Sequence, residues 1–167
     1  MLHKLRKGMD FTLLAISVGL FVFMILVGTY QIAARYFFKS PSTVSEELLT
    51  YSFAWMALFA SSYAFGKREH MRMGFLADKL SPQSRYWLRI AAEVLVLLFA
   101  AAVQLYGGVR IIRLTMSQTT ASLGIPMGIV YLAVPLSGAL TVVYAVLNLL
   151  TLFYQRKKEE TKGGDGQ

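Results

Sequence analysis

One ionisable side chain, Glu93, stands well inside an otherwise uncharged apolar run of this 167-residue chain. A carboxyl group at membrane depth can carry a proton or a cation, so such a residue is a functional candidate by default. Arg89 precedes it by one helical turn, about 6 Å along the axis. Ion pairing near the membrane interface is therefore the structural reading, with proton or ion coupling as the functional alternative. Gln104 lies on the same stripe as Arg89 and Glu93, and the three form an intramembrane polar set. Glu46 and Glu47 are adjacent, so on a helix they point about 100° apart and cannot share one face as an acid/base pair. The two histidines, His3 and His70, both lie outside the apolar runs, which argues against haem held between helices. Cysteine is absent, which excludes disulfides, thiolate metal sites and thiol-to-quinone electron transfer. No nucleophile stands beside a base, and no glycine-rich loop could cradle a phosphate. The chain therefore reads as a non-enzyme, with no catalytic, substrate-binding or metal residues and no cofactor.

The elements that would carry these residues are four apolar stretches, at about 11–34, 47–66, 88–109 and 127–154. A helix rises about 1.5 Å per residue and the hydrocarbon core is about 30 Å thick, so about 20 apolar residues suffice to cross. The third stretch reaches that length only by including Glu93. Hydrophobic residues make up 56% of the chain and charged residues 16%, against about 25% charged in soluble domains. The expected fold is an all-α integral membrane protein with one four-helix transmembrane domain over 1–155 and a polar tail over 156–167. The net charge of +8 does not point to nucleic acid, because the basic residues sit at the ends of the apolar runs and form no patch.

Thirteen of the seventeen basic residues fall in the N-terminal segment, the connection between spans two and three, and the tail. The positive-inside rule then places both termini and the middle connection in the cytoplasm. The first span, too long for a secretory signal and lacking a small-x-small cleavage site, reads as a retained anchor. Ser40-Pro41-Ser42-Thr43 reads as a turn, and Ser45-Glu46-Glu47 as a helix start, with an N-cap oxygen and acids at the positive end of the dipole. Between Glu69 and Ser84, Met71, Met73, Phe75, Leu76 and Leu80 alternate with charges. That pattern suggests a short amphipathic surface helix ending near Pro82, with a plain loop as the alternative. The tail after Tyr154 reads as disordered.

Small and polar residues keep to particular faces. Ala54, Ala57, Ser61 and Ala64 recur at spacings of three and four and form a seam on the second span. Lipid supplies no hydrophobic drive for helices to associate, so close approach along such seams matters. On the third span Arg89, Glu93, Leu97, Ala100, Gln104 and Gly107 share a stripe. On the fourth, Tyr131, Gly138, Thr141, Ala145 and Asn148 do so, with Pro135 as a kink. Trp55 falls near the membrane midplane, outside the usual aromatic belt, and reads as a packing anchor whose indole N–H bonds a neighbouring helix. Four helices can satisfy some of these faces internally, but so many suggest a further partner.

Arg35-Tyr-Phe-Phe38, Ser45-Glu46-Glu47-Leu48 and then Tyr51 and Trp55 follow one another in a pattern that resembles the small membrane subunit of tripartite ATP-independent periplasmic (TRAP) transporters. Arg68-Glu69-His70-Met71-Arg72, then Leu123-Gly124-Ile125-Pro126, Tyr131, Pro135 and Gly138, continue the resemblance over most of the chain. Val44 departs from it, since many relatives carry Trp there. The resemblance implies a multi-pass subunit of the bacterial inner membrane, in a system that imports organic acids such as dicarboxylates, sialic acid or other sugar acids by sodium symport. It implies a heterodimer with a large membrane subunit, whose static scaffold this chain would enlarge for an elevator-like motion. It also implies transient contact with a periplasmic substrate-binding protein and contact with membrane lipids. Tyr51, Ala54, Trp55, Ala57, Ser61 and Ala64 are then expected at the subunit interface. Arg35, Lys39, Glu46 and Glu47 are expected on the outer face, where the binding protein could dock. The rival readings are a small homo-oligomeric ion-coupled exporter using Glu93 and an assembly subunit of another membrane complex.

Overall fold

The computed structural model describes residues 2–67 and 81–164. Among these residues every regular element is a helix. The chain forms α1 (Leu2–Tyr36), α2 (Thr43–Gly66), α3 (Pro82–Phe99), a π-helical segment (Ala100–Gly107), α4 (Gly108–Thr115), α5 (Met127–Tyr131) and α6 (Ala133–Gly164). Four continuous stretches are long and apolar enough to cross a membrane: Arg6–Tyr36, Thr43–Gly66, Gln83–Thr115 and Met127–Arg156. The surface helix expected between spans two and three, with His70, falls outside the described residues.

The helices overrun the apolar runs that define them. Polar residues 2–10 contain no Pro and continue α1 toward the N-terminus, so α1 is about 52 Å long at the usual rise. The tail expected to be disordered is helical as far as Gly164, because Gln155 to Glu160 are good helix formers and no breaker comes before Gly163. Two starts also differ from expectation. Ser42, not Ser45, caps α2: its backbone is extended and its hydroxyl accepts from the Ser45 N–H at 3.3 Å. Pro82 opens α3 ahead of the apolar run at 88, at a position where its missing N–H costs nothing and behind Ser81 as N-cap.

The spans pack side by side in the order first, second, fourth, third. A third of the fourth span is buried (33%), against 6%, 11% and 6% of the other three, so α6 is the hub of the row. A row covers less surface than a compact bundle. Phe21, Ile25, Leu26, Leu95, Leu98 and Val103 are all more than half exposed, as suits side chains solvated by lipid.

Close approach across the row depends on glycine. A Cβ on Gly138 would lie 2.6 Å from Gln104 Cβ and 3.2 Å from the Gln104 backbone. A Cβ on Gly66 would lie 2.5 Å from the ring of the fully buried Tyr144. The fourth span breaks at Leu132, between α5 and α6. Pro135 has no N–H to offer the Tyr131 carbonyl, and this is the kink its position predicts.

Candidate functional site

The inward face of α2 is built on Trp55, Phe59, Ser62 and Gly66, spaced four, three and four apart. Trp55 and Phe59 pack edge to face with ring centroids 5.9 Å apart. The Trp55 indole N–H donates to the Val130 carbonyl at 2.9 Å, the helix-to-helix bond expected of it, beside the break at Leu132. Two turns further along α2, the Ser62 hydroxyl donates to the Ser137 carbonyl at 3.0 Å and accepts from the Thr141 hydroxyl at 3.0 Å. Ser62, Ser137 and Thr141 are all buried. In the membrane such bonds contribute about 0.6–2 kcal/mol each. Trp55→Phe is therefore expected to lower the thermal midpoint in detergent by about 2–4 °C, leaving the Val130 carbonyl without its partner; circular dichroism measures it.

The small-residue seam lies on the side of α2 turned away from this face. Ala54, Ser61 and Ala64 are exposed and Ala57 is partly buried. Ala54 and Ser61 stand one residue from packed positions (54 from 55, 61 from 62), a rotation of about 100°, and Ala57 and Ala64 stand two residues from the nearest ones, about 200° around the helix. Tyr51 is half-buried, and its hydroxyl lies 3.8 Å from the Met127 sulfur. The six residues expected at a subunit interface thus divide. Tyr51 and Trp55 take part in internal packing, while the alanines and Ser61 stay largely uncovered.

At the end of the row holding the 37–42 turn and residues 116–126, Arg35 and Lys39 are exposed. Lys39 has a left-handed backbone (φ 49°) that turns the chain out of α1. Glu46 is exposed and accepts from the Gln31 side-chain amide at 3.3 Å. Glu47 is engaged quite differently: its two oxygens accept from the Ser122 N–H at 3.0 Å and the Leu123 N–H at 2.9 Å. An open apolar groove of about 390 Å³ runs nearby between α1 and α2, lined by Phe23, Leu26, Tyr30, Val44, Ser45 and Leu48 among others.

At the opposite end Arg6 donates to the Gly66 carbonyl, closing the C-terminus of α2. The Tyr144 hydroxyl donates to Asp10 at 2.6 Å, so α1, α2 and α6 are joined there. Lys67, just beyond α2, lies 5.1 Å from the centre of the Tyr63 ring, and a bond to the Tyr63 hydroxyl raises its pKa. Asp10, Ser62, Ser137 and Tyr144 were not identifiable from spacing alone. The one available signal for Ser62 was its place seven residues after Trp55.

The intramembrane polar set is split by the structure. Arg89 is exposed. Glu93 is partly buried and accepts from the Asn148 amide at 3.3 Å, a partner on the fourth span. Gln104 sits in the π-helical segment against Gly138. Its Oε1, like Asn148 Oδ1, is buried without a hydrogen-bond partner among the described residues. Among those residues no cluster of His, Asp or Glu could hold a metal ion. What the arrangement offers is adhesion: polar bonds between helices, close glycine crossings and an uncovered seam.

Comparison with known proteins gives the family. Residues 24–155 match the family model for tripartite ATP-independent periplasmic transporters, DctQ component. A TRAP transporter small permease protein of Haemophilus influenzae is 23% identical over 153 residues, covering 91% of this chain and 92% of that protein. The sialic acid TRAP transporter small permease protein SiaQ of Vibrio cholerae is 29% identical over 139 residues, covering 78% of this chain and 80% of SiaQ. A second H. influenzae small permease protein is 28% identical over 134 residues, covering 80% of this chain and 81% of its own length. A match over most of the chain, joined to four membrane-crossing helices whose polar groups bind helices to each other, makes this protein a member of the DctQ family, the small permease subunits of TRAP transporters.

Proposed function

We propose that this subunit is a scaffold in the bacterial inner membrane, bound as a heterodimer to the large membrane subunit of a sodium-coupled importer of organic acids. The observation that carries this reading is the exposure of Ala54, Ser61 and Ala64 on the side of α2 turned away from a fully employed inward face. Small residues on an uncovered helix face admit another helix at close range, which is how membrane subunits associate. Ala54, Ser61 and Ala64 leave this face open at three levels of α2. The distribution of basic residues favours both termini in the cytoplasm, which puts the 116–126 end on the outer side. There a periplasmic binding protein would dock transiently. The domain is one four-helix unit over 1–155, with 156–167 as a cytoplasmic extension. The likeness to SiaQ favours sugar acids, sialic acid among them, as cargo; the cargo itself would be handled by the large subunit.

Mild-detergent purification of the tagged chain, with mass identification of what accompanies it, tests the reading. A large permease subunit is expected in equal amount. Vesicles containing both subunits and the binding protein are expected to import sialic acid or succinate on a sodium gradient, and vesicles with this chain alone to import neither. Flux through the chain alone, lost on Glu93→Gln, would replace the scaffold by the exporter reading.

A further inference from the structure

Glu47 is bonded to a part of the chain 75 residues away, and the segment it holds has a definite shape. Within residues 116–126 the Thr120 N–H donates to the Ile125 carbonyl at 2.9 Å, and the Met127 N–H donates to the Gln118 carbonyl at 2.8 Å. The Ile125 N–H donates to the Thr120 hydroxyl oxygen at 3.2 Å. Gly124 makes the turn with φ 65°, a conformation other residues adopt only with strain. Thr120 is buried, so the small hairpin is pinned at its base. Its tip presents the consecutive amides of Ser122 and Leu123 to one carboxylate. Consecutive N–H groups in a turn form an anion-binding nest, and here the chain fills it with its own Glu47. The adjacent Glu46 touches only a side-chain amide from α1 among the bonds described. Two neighbouring acids therefore have unlike duties.

We propose that Glu47 is a positioning residue that holds the 116–126 hairpin as a preformed docking platform for the periplasmic binding protein, and does not itself contact that protein. This rests on the reading above that this end faces outward and receives the binding protein. With Glu47 committed to the hairpin, the platform is uncharged: Met116, Gln118, Thr119, Ala121, Gly124 and Ile125 are among its exposed residues. The exposed charges around it are mainly basic, from Arg35, Lys39 and Arg113, with Glu46 as the exception. A partner surface with acidic side chains around a flat contact fits this arrangement by charge complementarity. A hairpin ordered in advance spares the complex the ordering cost on docking. Releasing it should therefore weaken capture of the binding protein and leave the later steps of import unchanged.

The test uses vesicles containing this chain and the large subunit, with fluorescently labelled binding protein titrated in and sialic acid or succinate as the imported probe. Glu47→Gln keeps the size but sets an amide N–H₂ against the two N–H donors. It is expected to raise the half-saturating concentration of binding protein about tenfold and to leave the maximal import rate within about twofold. Hydrogen exchange at the Ser122 and Leu123 amides is expected to quicken about tenfold or more, while residues 48–66 keep their protection. Ser122→Pro, which removes one donor and leaves Glu47 intact, should act in the same direction, and Glu46→Gln should leave the exchange unchanged. Unaltered exchange in Glu47→Gln would overturn the clamp. Quickened exchange with an unaltered half-saturating concentration would overturn the platform. Loss of the large subunit from both hairpin variants would also overturn it, by making the clamp a requirement of assembly. A wild-type complex that ignores the binding protein would refute the outward-docking reading itself, and the exchange measurement would still judge the clamp by itself.

Discussion

Gly138→Val is expected to lower the thermal midpoint of the purified chain by about 6–12 °C. The third and fourth spans cross so closely that a Cβ on Gly138 would meet Gln104 Cβ at 2.6 Å, the Gln104 carbonyl carbon at 3.2 Å and the Leu105 nitrogen at 3.2 Å. Two of the three atoms are backbone and cannot rotate away. Relief requires the helices to separate, and separation would strip contacts all along the crossing. Overpacking costs about 1–3 kcal/mol and more where the backbone must move. For a chain of this size about 3 kcal/mol corresponds to the stated fall in midpoint. Gly19→Val is the matched control: nothing lies within 4 Å of a Cβ there, and valine in a lipid-facing position should leave the midpoint unchanged. Equal midpoints for the two variants would show that the crossing is wider than described.

Ala54→Leu combined with Ser61→Leu is expected to do the reverse, sparing the fold and losing the partner. Both positions are exposed, so leucine adds apolar surface toward lipid and disturbs no internal contact. The thermal midpoint of the isolated chain should stay within about 2 °C of wild type. Against a second helix, each leucine would hold the backbones apart where alanine and serine let them meet. If each costs about 1.4 kcal/mol or more of association, recovery of the large subunit falls about tenfold per site. Undiminished recovery would remove this face of α2 from the subunit contact and leave the other exposed faces of the row as candidates.

These two outcomes differ because two faces of α2 have unlike surroundings, and the sequence pattern does not separate them. Ala54, Ala57, Ser61 and Ala64 form a regular seam by spacing alone. Trp55, Phe59, Ser62 and Gly66 recur just as regularly, and they are the ones packed inside. A helical period states that residues share a face without stating which neighbour the face meets. Trp55 was legible as an internal anchor because an indole N–H at midplane depth must find an acceptor in the protein. Ser62 was not legible, since a serine in a membrane helix can bond back to its own preceding turn, as its contact with the Leu58 carbonyl at 3.1 Å also illustrates.

A similar division holds at the other sites. The polarity of Glu93 marked it out, but its partner Asn148 lies on another span, and no local rule connects residues 55 positions apart. Glu46 and Glu47 look equivalent as a pair of acids in the first turn and a half of a helix. Their separation into an exposed residue and a hairpin clamp arises from the path of residues 116–126. The π-helical segment is invisible to hydropathy, because widening one turn leaves composition and mean hydropathy unchanged.

By itself the amino-acid order determined that this is a membrane protein of four spans with a place in the TRAP family. It could do so because the bilayer is a uniform solvent: crossing it needs only enough consecutive apolar residues, and each such run declares itself locally. Tertiary structure alone decided the order of the spans in the row, the face of α2 left uncovered and the acid that clamps the hairpin. Those depend on how far helices rotate and how closely they approach. Glycine contacts and hydrogen bonds between residues dozens of positions apart set both quantities.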